Sequence, residues 1–128
     1  MQISETLEAE AQETLQDLVD AVEGILATVI STEDGFELVS LARNNAQASR
    51  LSAMASSMVA LGAMATDECD IGRFSTITLE ADSGVIIMLR ANHTDSKLIL
   101  SVIADSQALI GKVLLYSKKA TKRLEQHG

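Results

Sequence analysis

Apolar residues Ile3, Leu7, Ala11, Leu15, Leu18, Val19 and Val22 recur at steps of three and four, which predicts one amphipathic helix over 3–22. Ser4 is its candidate cap and Gly24 its stop. The other face carries Glu5, Glu8, Glu10, Glu13, Asp17, Asp20 and Glu23 with no Lys or Arg, so the element is strongly acidic. Two β-branched, apolar runs follow at 25–31 and 36–41, separated by Thr32-Glu33-Asp34-Gly35. Glycine accepts the positive φ of a tight turn, so an Asp-Gly here predicts a hairpin. A second set of runs at 73–81, 85–91 and 97–104, broken by Asp82-Ser83-Gly84 and by 92–96, predicts three more strands in a meander. Between the sets, an Ala- and Met-rich stretch predicts a helix over 46–68 with two apolar stripes. One holds Leu51, Ala55, Met58, Gly62 and Ala65, the other Met54, Leu61 and Met64. A last helix is predicted over 106–124, with Leu109, Ile110, Val113, Leu114, Ser117, Ala120 and Leu124 inward and Lys112, Lys118, Lys119, Lys122 and Arg123 outward.

Strand order follows from which runs are apolar on both parities. Ile25 with Leu26, Ile86 with Ile87 and Ile99 with Leu100 mark strands one, four and five as covered on both faces, hence central. The second and third strands mix Glu37 and Ser40, or Thr76, Thr78 and Glu80, among their apolar residues, as edge strands do. With hairpin neighbours adjacent, the order is 2-1-5-4-3. The middle helix must then cross one face of the sheet, and the two terminal helices share the other. The class is α/β in the α+β sense, a five-stranded antiparallel sheet in a single domain over 1–128.

Composition narrows the function. The 128 residues carry 10 basic and 18 acidic side chains, a net charge of -8, which lacks the phosphate-neutralising surface that nucleic acid or an anionic membrane requires. The longest apolar runs are far too short to cross a bilayer, and the acidic start is no signal peptide. One cysteine, Cys69, cannot make an internal disulfide, in keeping with a cytoplasmic protein. With no proline and 2% aromatics, stacking platforms are scarce.

Taken in order, the first helix, Gly24 through Ile30, Asp34-Gly35, the small-residue helix, Asp82-Ser83-Gly84, Leu100 through Ala104 and Leu109-Ile110-Gly111-Lys112 resemble the Roadblock domain of dynein light chains and bacterial MglB-type proteins. The resemblance covers nearly the whole chain. It implies an α-β-β-α-β-β-β-α fold and a homodimer or heterodimer that regulates or scaffolds small Ras-like GTPases, or that docks in motor assemblies, without catalysing a reaction itself.

No chemistry-bearing constellation competes with that reading. His93 and His127, the only histidines, are not placed to serve a triad, and His93 is expected as a solvated turn residue beside Thr94 and Asp95. Asp67, Glu68, Cys69 and Asp70 are consecutive and lack metal-ligand spacing, so they read as a solvated acidic loop with no metal or cofactor. No GxxxxGK[ST] or GxGxxG is present. The basic outer face of the last helix reads as solvated, balancing the acidic first helix. The middle helix is different, because a sheet face buries one stripe and leaves the other for a partner. The expected dimer contact comprises Leu51, Met54, Ala55, Met58 and Leu61 with Phe74, Thr76 and Thr78 of the third strand, and Arg43 and Arg50 lie where a GTPase would approach. A scaffold subunit acting on no GTPase, or a small-ligand sensor, is the alternative use of the same fold.

Overall fold

The computed structural model describes residues 5–42, 45–94 and 96–127; Ser4, Arg43 and Asp95 lie outside them. Helix α1 spans Glu5–Ala21, β1 Ile25–Thr32, β2 Glu37–Leu41, α2 Asn45–Glu68, β3 Thr76–Ala81, β4 Gly84–Asn92, β5 Lys97–Asp105 and α3 Ile110–Gln126. The strands form one antiparallel sheet in the order β2-β1-β5-β4-β3. This is the order derived from parity.

Alternation across the sheet divides the core in two. Ile30, Ile87, Leu89, Leu98, Leu100 and Val102 point to the side of Leu7, Ala11, Leu15 and Leu18 of α1 and Val113, Ala120 and Leu124 of α3. Val29, Met88 and Ile99 point the other way, onto Ala48, Leu51, Ala55 and Val59 of α2. At the end of α1 the chain reverses through Gly24, whose φ of 92° suits glycine, and Gly35 at 98° does the same in the β1–β2 hairpin. No helix among the described residues is long and apolar enough to cross a membrane.

Four local expectations are corrected. Helix α3 starts at Ile110 rather than 106, because Asp105 Oδ1 accepts the N–H groups of Gln107 and Ala108 at 2.8 and 3.1 Å and holds the intervening residues in a turn. Leu109 and Ile110 are consequently exposed, not inward. Strand β3 starts at Thr76 rather than 73, since Phe74 leaves the ladder to rest on α2. Leu26 is exposed because the β1–β5 register steps from Ile25 to Ala27 and leaves it as the extra residue of a bulge. Phe36 precedes β2, its carbonyl accepting the Thr32 N–H at 2.8 Å and its N–H donating to Thr32 Oγ1 at 3.2 Å, with the ring in solvent.

Candidate interaction surface and family

Helix α2 is 24 residues long and touches the sheet with one stripe. Leu51 is 5% and Ala55 0% exposed, whereas Met54, Leu61 and Met64 are 54%, 63% and 68% exposed. Of the first stripe predicted from spacing, Leu51 and Ala55 are buried, Met58 and Gly62 half-buried and Ala65 exposed, while the second, Met54, Leu61 and Met64, is exposed throughout. Leu51 and Ala55, expected in a contact surface, are instead core residues under the sheet, because α2 lies closest to β1 and β5 along that line. Met58 is half-buried against the same cluster. The outward stripe is Met54, Ser57, Leu61 and Met64, at steps of three and four, flanked by exposed Ala53 and Ala60. Ser57, Ala53 and Ala60 are missing from the expected set, although their small size is the signal: short side chains let another backbone approach closely.

Beyond Val59 the helix runs past the covered part of the sheet. Here Gly62 faces the Phe74 ring, and a Cβ on Gly62 would stand 2.5 Å from Phe74 Cε1. That seat anchors the 69–75 connection to α2 and delivers the chain to β3. Strand β3 pairs with β4 alone, so its outer edge carries no neighbouring strand among the described residues. Thr76 is half-buried and Thr78 exposed. Met64 of the outward stripe and Phe74, which leads into β3, line one groove, and Arg50 stands exposed near the start of the helix. Arg43 lies outside the described residues.

A groove of about 660 Å³ lies between the C-terminal half of α2 and Arg90, lined by Asp67, Asp70, Arg73 and Phe74 among others. Its charged lining and open mouth differ from the concave apolar site that a small-ligand sensor uses. Arg90 is held there by Glu33, with Nε and Nη2 contacts of 3.2 and 3.4 Å, and the Glu33 carbonyl in turn accepts the Ser56 hydroxyl at 2.6 Å. This chain ties the β1 hairpin to both β4 and α2. The sequence offers no spacing from which that long-range link can be read. No cluster of three or more His, Cys, Asp or Glu side chains suited to a metal exists among the described residues.

On the opposite face, Arg123 of α3 reaches three acids of α1: Glu10 at 2.7 Å, Asp17 at 2.6 Å and Glu13 at 3.1 Å. Its guanidinium is held charged well above the ordinary arginine range, first by the hydrogen bond to Glu10 and then by that to Asp17. His93, expected in solvent, is buried at 8% exposure, and its Nε2 donates to the carbonyl of His127 at 2.7 Å. The physical reason is the last turn of α3, which folds back over the β4–β5 turn and is fastened by the Asn92 N–H donating to Glu125 Oε2 at 2.8 Å.

Comparison with known proteins places this arrangement. Residues 11–104 match the model of the Roadblock/LC7 domain. The fold superposes on Myxococcus xanthus MglB with a TM-score of 0.84 at 17% identity, covering 98% of this chain and 92% of that one. The gliding protein MglB from Thermus thermophilus gives 0.84 at 17% identity, covering 97% and 92%. A Roadblock/LC7 domain from Streptomyces avermitilis gives 0.78 at 22% identity, covering 86% and 90%. Among curated proteins none matches the sequence significantly. The family match spans most of the sheet and all of α2, and the chain belongs to the Roadblock/LC7 domain family.

Proposed function

We propose that this protein is a dimeric, non-enzymatic platform for a small Ras-like GTPase. The observation that carries the reading is the outward stripe of α2, Met54, Leu61 and Met64, together with the edge of β3, which is unpaired among the described residues. Contiguous apolar surface of this kind is used for association, methionines adapt to an uneven partner, and a free strand edge pairs readily across a two-fold axis. Two copies joined there place two α2 helices side by side, with Arg50 of each near the rim as a point of approach for the GTPase. The structural likeness to MglB proteins supports the fold on which this rests. Membership of the Roadblock/LC7 family supports a regulatory or scaffolding role over a catalytic one.

The dimer acts on its partner by holding the GTPase's own switch loops rather than by inserting an arginine. An arginine finger must reach the phosphates from a mobile, exposed position. Arg90 is tied to Glu33 and Arg123 to α1, which leaves Arg43, Arg50 and the exposed Arg73 as candidates. Single-turnover GTP hydrolysis by a co-encoded small GTPase, with the wild type and with Arg43→Ala, Arg50→Ala and Arg73→Ala, tests this. All three variants should retain the wild-type stimulation at matched occupancy. A loss of about 1,000-fold at unchanged affinity would be the signature of a finger and would overturn the mechanism. No binding to any co-encoded GTPase would favour a scaffold.

A further inference from the structure

The layer formed by α1 and α3 is divided by charge in a way that the fold alone does not require. Exposed Glu5, Glu8, Glu13, Asp17 and Asp20 line α1, with Glu23 just beyond it, and α1 contains no cation. Exposed Lys112, Lys118, Lys119 and Lys122 line α3, whose one acid, Glu125, is turned to the Asn92 N–H. Among the described residues Arg123 alone forms ion pairs between the two helices, and the four lysines make none. Leu115 lies among these lysines and is itself largely exposed. Arg123 is level with Glu10 to Asp17, while Tyr116 and Lys119 are level with Leu18 and Ala21, so the helices run antiparallel.

From this arrangement we propose that the α1/α3 layer is a self-association face that docks a second copy of the chain. A two-fold axis lying in the contact plane along the helices sets α1 of each copy on α3 of the other. The same operation preserves height along the axis, so Lys118 and Lys119 meet α1 around Asp20, and Lys122 meets it around Glu13, twice per pair. An axis across the helices would instead oppose acid to acid and base to base. The charge pattern therefore selects one closed, isologous arrangement. Leu115 supplies an apolar contact inside each basic patch. The face lies on the other side of the sheet from α2, and the inference stands whether or not α2 is a contact surface.

Screening sets the conditions of the test. At about 0.01 M salt the Debye length of about 30 Å lets the net charge of each copy repel the other as a whole, whereas at about 0.1 M it is about 10 Å and mainly local pairs are felt. At about 1 M it is about 3 Å and those pairs are weakened too. Sedimentation velocity of the full chain should show at least about a twofold greater mass at about 0.1 M than at about 1 M salt. The doubling should persist in Leu61→Asp, which separates it from any α2 contact. It should vanish in Lys118→Glu/Lys122→Glu, whose substitutions are on the surface, and return when Glu13→Lys/Asp20→Lys is added in the same chain. A mass independent of salt and of these substitutions would overturn the proposal. So would loss of binding to phosphatidylserine vesicles in the lysine variant without any self-association, which would assign the face to an anionic surface.

Discussion

The ring of Phe74 occupies the place where a Cβ of residue 62 would stand, with only 2.5 Å between that position and Cε1. Glycine in a helix interior costs about 1 kcal/mol relative to alanine, so Gly62 gives up helix propensity where a side chain would displace the ring. Gly62→Ala should lower stability in the wild type. In a Phe74→Leu background the same change should raise it by about 0.5–1 kcal/mol, the intrinsic helix gain. A thermal double-mutant cycle measures the coupling, and additive effects would show that the ring does not depend on the glycine.

The contacts of Arg123 with Glu10, Glu13 and Asp17 join α1 to α3 across the chain. Arg123→Met keeps the apolar stem and removes the charge. Since all four side chains are partly open to solvent, the cost should be on the order of 1 kcal/mol and should shrink in high salt. The folded-state pKa of the guanidinium is raised, so its contribution is fully present below the ordinary arginine value and fades only above it. Urea titrations at about pH 7 and about pH 10 should therefore give the same difference between wild type and variant. A difference that disappears by the higher pH would show that the charge of Arg123 is not what joins the helices.

His93 binds the carbonyl of His127 and so closes the end of α3 over the β4–β5 turn. His93→Leu should leave the sheet intact and loosen the last turn of α3. Amide exchange over 121–126 should accelerate about tenfold, the loss of one buried hydrogen bond worth on the order of 1 kcal/mol. Unchanged exchange would mean that Glu125 and Asn92 suffice.

The sheet order and the position of each helix were readable because parity and helical spacing report which faces are buried. The misplaced residues fail for reasons that parity cannot carry. Leu26 has an ordinary strand sequence and is turned out by a one-residue register step with β5. Leu109 and Ile110 look like helix core and are held outside by the Asp105 turn. His93 looks like a turn residue until the end of α3, 34 positions away, covers it. On α2 the two stripes were distinguished by spacing, but which one faces the sheet depends on where β1 and β5 lie beneath the helix. Spacing alone therefore does not say that Leu51 and Ala55 face the sheet. The Glu33–Arg90 link spans 57 positions and leaves no local trace.

The separation of the α2 stripes gives paired substitutions opposite outcomes. Ala55→Asp puts an unpaired charge at a fully buried site and should unfold the protein, at a cost of several kcal/mol. Leu61→Asp puts the same charge in solvent on one copy and should preserve the far-ultraviolet circular dichroism of the wild type. The most direct test of the α2 dimer is sedimentation equilibrium of wild type and Leu61→Asp at micromolar concentration in about 1 M salt, where charge pairing is screened. The wild type should have the mass of two chains and Leu61→Asp, still folded, the mass of one. A wild type with the mass of one chain, or a folded Leu61→Asp that keeps the mass of two, would contradict the central claim that α2 joins two copies into the platform.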